Sequence, residues 1–340
     1  MSFEIIRPES NLGKTTYLGK FFDTLRANLY GGIENDDYGN RSILAEYCGV
    51  SVSNRIPGRI QHGWVFRDRS GHYYLNDYVP SYVWTESAKF SAESRGWRNF
   101  TDIGAPWLYL LKILERDGWG SLEKSKLKDN YPNRELWVFG NHADLISDSL
   151  STELLEFLTR AKNDSNQKTI LLQYRDFDTV KRVQPELIED LNIVTLGQRI
   201  NAATSQAHLF RIHSLLIAHN KLVIDWPSAL LLYGLTLNME IVFLKSSTFE
   251  RAVLDVQKLG DFELLSLLSI PALTSGAHRD FAYQRLGIGS LKTPLELRKL
   301  LKWKKRSYFS DIKALFILPK LCISISVRFI KQNTFSGSLN

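Results

Sequence analysis

The sequence predicts an α/β protein built on a parallel, doubly wound sheet, and three observations predict it. Short apolar runs of strand length recur, among them Val223-Ile224 and Ile241-Val242-Phe243, of the kind that lie covered on both faces of such a sheet. Amphipathic segments of helix length fall between them, as from Ser205 to His219, where Leu209, Ile212, Leu215 and Leu216 share one side. Strands and helices therefore alternate, which implies helices on both faces.

The first half begins with a helix-like stretch from Leu18 to Tyr30 and an apolar-polar stretch from Ser42 to Val52. A turn at Ile56-Pro57-Gly58-Arg59 and a strand-like Tyr82-Val83-Trp84 follow, and Gly104 and Pro106 mark a loop. The polar segment 115–134 reads as an interdomain connection. The second half opens with a strand from Glu135 to Phe139 and a helix from Ser151 to Lys162. Thr169 to Tyr174 reads as the next strand, Val180 to Leu191 as a helix interrupted at Pro185, and Ile193 to Leu196 as a strand. The strand at Leu222 then leads through Asp225-Trp226-Pro227-Ser228 into a helix from Ala229 to Leu237. Pro227 suits a first helical turn, and the free N–H groups beside Ser228 form an anion site. The expected division is 1–114, 115–134, 135–290 and a basic amphipathic segment 291–340, which should pack partly across the domain boundary.

At 340 residues, with 44% hydrophobic and 23% charged side chains, the chain has the composition of a globular protein of two domains. Cys48 and Cys322 make no metal-ligand pattern and no disulfide framework, so a reduced cytoplasmic setting is expected. No apolar run has the length of a signal or a membrane span, which predicts neither export nor a transmembrane anchor. The net charge of +7 is concentrated between Lys292 and Lys331, where basic residues interleave with Leu300, Leu301, Trp303 and Phe309. That pattern suits the inner face of an anionic membrane, or a solvated terminal helix packed on the body. No nucleic-acid recognition pattern accompanies it, and no nucleic-acid partner is expected.

Gly13-Lys14-Thr15-Thr16 is not a phosphate loop, because Pro8 stands where such a loop needs glycine. Gly287-Ile288-Gly289 reads as a plain loop. Ile60-Gln61-His62-Gly63-Trp64 places a histidine at a strand tip, where open α/β sheets keep their chemistry and where an imidazole takes a proton near neutral pH. Gly140-Asn141-His142-Ala143-Asp144 repeats the arrangement, with Asp144 a carboxylate or a helix cap. Tyr174-Arg175-Asp176 and Gly197-Gln198-Arg199 sit at the next two strand tips. Two arginines, a histidine and the Ser228 helix start on one edge point to an anionic ligand, since the guanidinium fork matches phosphate oxygens.

These ordered pieces, over roughly residues 56–245, resemble the two-Rossmann-domain (GT-B) glycosyltransferases and related transferases that build bacterial capsule, lipopolysaccharide and teichoic acid. Gln61-His62-Gly63-Trp64 resembles their first-domain His-Gly motif, and Val138-Phe139-Gly140-Asn141-His142 the strand that opens the donor domain. Gly197-Gln198-Arg199 with Asp225, Ser228, Tyr233 and Leu237 resembles the nucleotide and phosphate region. The resemblance implies a GT-B-like fold, two Rossmann-like domains facing across a cleft, and a metal-independent enzyme that needs no cofactor beyond its nucleotide-sugar co-substrate. His62 would be the catalytic base, with Asp144 the second catalytic candidate and Asp176 and Glu86 the next carboxylates. Gln61, Gly63 and Trp64 would face a glycan or lipid-linked acceptor. His142, Arg175, Gly197, Arg199, Asp225, Ser228 and Tyr233 would hold the donor. Asn238-Met239-Glu240 stands where many relatives have Gly-Lys-Pro, and the paired glutamates of the common retaining class are absent, which leaves sugar and stereochemistry open. Two other readings stay open: a catalytically silent glycan- or partner-binding protein of the same fold, and a phospho-alditol transferase.

Overall fold

The structure, a computed structural model, describes residues 38–50, 56, 59–64, 80–94, 98–118, 134–140, 150–197, 207–273 and 275–303. The expected helix from Leu18 to Tyr30, the turn residues Pro57 and Gly58, and the basic run after Trp303 lie outside them.

The larger sheet is α/β and doubly wound, as the alternation predicts. Its strands are β4 (Glu135–Val138), β5 (Lys168–Leu172), β6 (Ile193–Thr195), β7 (Lys221–Ile224), β8 (Glu240–Phe243) and β9 (Ala272–Leu273). They lie in the order β6-β5-β4-β7-β8-β9, all parallel except β9, which runs antiparallel to β8. Glu135 pairs with Lys168 on one side and Lys221 on the other. Strand side chains alternate between faces, so a fully buried strand needs apolar residues at every position. On one face Trp137, Phe139, Ile170, Leu172 and Val223 pack with Leu154, Phe157 and Leu158 of α4 (Thr152–Asn163) and with Val180 of α5 (Tyr174–Val183). On the other, Leu136, Val138, Leu171, Leu222 and Ile224 pack with α7 (His208–Ile217) and α8 (Ala229–Thr236).

The helices start where the sequence supplies caps. Ser151, Ser246 and Asp261 accept from the backbone N–H of Leu154, Phe249 and Leu264, at the heads of α4, α9 (Ser247–Leu259) and α10 (Phe262–Ser269). Beyond shifts of one to three residues at several element ends, two segments differ from expectation. Tyr174 opens α5 instead of closing β5, and the helix read from Val180 therefore begins six residues earlier, with α6 (Glu186–Asp190) following Pro185. The segment read as a plain loop at Ile288 is a 3-10 turn, Ile288–Ser290, after α11 (Ser275–Arg285).

A second, three-stranded parallel sheet, order β1-β2-β3, is formed by Arg59–Ile60, Ser81–Val83 and Phe100–Asp102. With it go α1 (Asn40–Cys48), α2 (Glu86–Glu93) and α3 (Pro106–Arg116). Helix α3 meets α8. Trp107 stacks on Tyr233 at 4.2 Å and 12°, and its Nε1 donates to Thr236 Oγ1 at 2.9 Å. The chain then returns to this sheet as α12 (Pro294–Leu300), started by a Thr293–Glu296 capping box. Tyr82 Oη donates to Leu300 O, and Tyr109 Oη accepts from Lys292 N. The segment after Leu291 thus packs on first-half elements, and Leu301 and Trp303, whose apolar side chains suited a membrane surface, are buried in the core instead. Among the described residues no helix is long and apolar enough to cross a membrane.

Candidate functional site

In the larger sheet, β4 is flanked by β5 and β7, and the chain leaves β4 for α4 on one face and β7 for α8 on the other. That is a topological switch point, and open α/β sheets bind ligands in the crevice such a split leaves at the strand C-termini. The two strands' last pair is Val138 with Ile224. Just beyond it, Gly140 N donates to Asp225 Oδ1 at 2.8 Å. Asp225 is 1% exposed, and burial pushes its carboxyl up to about 6, against the opposing pull of the Gly140 N–H and the Arg251 charge. Beside β5, in the first turn of α5, burial likewise pushes Asp176 up to about 6 against the pull of Arg175. Two desolvated carboxyl groups therefore stand on this edge, and of the two Asp176, which is only half-buried, is the candidate for proton handling.

The donor-side candidates divide. Gly197 follows β6 with φ +86°, its N–H donating to Thr195 Oγ1 at 3.3 Å. Arg175 is exposed on the first turn of α5. Ser228 caps α8, its Oγ accepting from Leu230 N at 3.3 Å, so the hydroxyl is engaged while the helix start beside it stays polarised toward an anion. Gly197, Arg175, Asp225 and Ser228 lie along one edge, on which β6 and β7 stand three strand spacings apart, about 14 Å across the sheet. Tyr233 is not on that edge. It is buried against Trp107, and burial holds its hydroxyl well above its ordinary value. His142, Asp144 and Arg199 lie outside the described residues.

In the smaller sheet, Gln61, His62, Gly63 and Trp64 follow β1. Gln61 is buried and spent on the backbone: its Oε1 accepts from Trp84 N at 2.9 Å and its Nε2 donates to Gly63 O at 2.9 Å. Trp84 Nε1 also donates to the Gln61 carbonyl at 3.1 Å. Gln61 thus ties β1 to β2 and fixes the turn that carries His62. His62 and Trp64 are half-buried, Trp64 against the core, with open space beside Gly63. The ends of β2 and β3 are covered. Ala105 N donates to Leu286 O at 2.8 Å, and a Cβ on Gly287 would lie 1.9 Å from the Trp84 carbonyl oxygen.

Neither the role of Gly140 nor the covering of Trp84 by Gly287 is written in a local motif, because both depend on contacts between segments far apart in the chain. Among the described residues no three His, Cys, Asp or Glu side chains are grouped to hold a metal ion.

No protein-family model matches the chain, and no curated protein matches it. Among solved structures, the chain is similar to a UDP-GlcNAc 2-epimerase from Neisseria meningitidis bound to UDP-GlcNAc, with a TM-score of 0.34 and 11% identity over 73% of this chain and 67% of that one.

Proposed function

We propose that the protein is an enzyme of nucleotide-activated sugars, and specifically a glycosyltransferase acting on a surface glycan. The observation that carries the reading is the topological switch point between β4 and β7, bordered by the polarised start of α8 and with Arg175 beside the neighbouring strand. In this reading residues 135–290 hold the donor and residues 1–114 the acceptor. The acceptor oxygen bonds to the anomeric carbon as the bond to the donor phosphate breaks. The proton passes to His62, and the helix start with Arg175 and Arg199 takes up the charge on the departing nucleoside diphosphate.

The test is turnover of nucleotide sugars by wild type and His62→Ala in the presence of candidate acceptors. A turnover about 10²–10⁴-fold lower in the variant, at nearly unchanged donor affinity, is expected. Equal turnover in both would remove His62 from the chemistry. The second reading, nucleotide or glycan binding without turnover, is favoured by the engagement of Gln61 with Trp84 and the burial of Tyr233. Saturable nucleotide binding with no consumption of any donor would select it.

A further inference from the structure

We infer that Asp225 is a positioning residue for the nucleotide site, acting through the Gly140 backbone and not by touching the donor; the inference rests on the nucleotide-binding reading of this edge. Beyond Val138–Ile224, the ladder no longer joins β4 to β7, and the strands are free to splay where their chains turn to opposite faces. The Asp225 carboxylate restores one link by accepting the Gly140 N–H at 2.8 Å. The junction is also close-packed. A Cβ on residue 140 would lie 2.4 Å from Trp226 Cβ, so only glycine lets the end of β4 rest against the residue that follows Asp225. Two residues beyond Trp226, Ser228 starts α8. The hydrogen bond and the packing of Gly140 against the Trp226 side chain therefore fix how far the end of β4 stands from the helix start proposed to hold phosphate. A direct role is disfavoured by the same geometry, because a carboxylate 1% exposed and already hydrogen-bonded would repel phosphate oxygens.

The experiment has two readouts on wild type, Asp225→Asn, Asp225→Ala and Gly140→Ala, each checked for folding by circular dichroism. The first is amide exchange at Gly140, measured without ligand. It should be protected in wild type and Asp225→Asn, whose amide oxygen still accepts, and unprotected in Asp225→Ala. The second is affinity for UDP, GDP, CMP and CDP. Asp225→Asn should stay within about twofold of wild type, while Asp225→Ala and Gly140→Ala should weaken binding roughly tenfold. An unprotected Gly140 amide in wild type would overturn the link itself. Equal losses in Asp225→Asn and Asp225→Ala would mean that the carboxylate touches the nucleotide, and an unchanged affinity in Asp225→Ala would make the link merely structural; either overturns the inference. If wild type binds none of the four nucleotides while Gly140 is protected, the functional reading fails, and the positioning role with it, although the link stands.

Discussion

The two sheets end in opposite ways at their C-terminal edges. In the three-stranded sheet the edge is closed by backbone: Leu286 to Lys292 lies over Trp84 and Ile103 to Ala105, with Gly287 against the Trp84 carbonyl. In the six-stranded sheet a side-chain link, Gly140 N to Asp225, crosses the split between β4 and β7, and the carboxyl groups nearby are desolvated by burial. The first edge is a backbone joint and the second is tied by a side chain. A strand tip that the chain comes back to cover is a joint and not a functional signal, as the ends of β2 and β3 show.

The contrast can be broken most forcefully at the joint. Gly287 has φ +77° and no room for a Cβ, so Gly287→Ala should cost about 3 kcal/mol or more in urea unfolding and leave nucleotide affinity of the folded protein unchanged. A loss below about 1 kcal/mol would show that the segment is not seated on Trp84.

Acidity should act next, through buried groups of the six-stranded sheet. Asp225 and Asp176 have folded-state values raised from 3.8 to about 6, so their contribution to stability is fully present below about pH 4 and is lost as pH rises through 6. Asp225→Asn should flatten that decline. His219 works in the other direction. Buried, and bonded to Leu215 O and Thr169 Oγ1, it is held neutral with a lowered value, and its contribution, present above its ordinary 6.5, is lost as pH falls. Unfolding free energy across pH 4–7 in wild type, Asp225→Asn and His219→Gln reads both slopes, and an unaltered slope in Asp225→Asn would mean that its carboxyl is not desolvated. The smallest effect is expected at Ser228, where loss of the cap in Ser228→Ala should cost about 0.5–1 kcal/mol and weaken nucleotide binding only slightly, because the helix N–H groups remain. Loss of all binding would make the hydroxyl a direct ligand.

The larger sheet was legible because its strands are buried on both faces and announce themselves as apolar runs, and because Pro227 and Ser228 mark a helix start. Strand β3, Phe-Thr-Asp, carries no such run; it is a strand because it pairs with Ser81–Val83, and pairing is not written locally. The helices from Ser247 to Arg285 follow the last motif and offered none of their own. For the site, the edge was legible and the contacts were not. Gly140 and Asp225 meet across 85 positions, and Trp107 reaches Thr236 across 129, which drew Tyr233 into the core although its place after a phosphate-like turn suggested a ligand. The His-Gly resemblance places Gln61 toward an acceptor, but a buried amide must find partners, and this one bonds to Trp84 N and Gly63 O.

The comparison of the two edges is tested most directly by hydrogen exchange with and without a saturating nucleotide. Protection should rise at Gly140, at Gln173 to Arg175, at Leu196 and Gly197 and from Asp225 to Leu230, and stay unchanged at Trp84, Ile103 to Ala105 and Leu286 to Lys292. Protection gained only in the second group, or in neither, would contradict the proposal that the nucleotide binds at the switch point between β4 and β7.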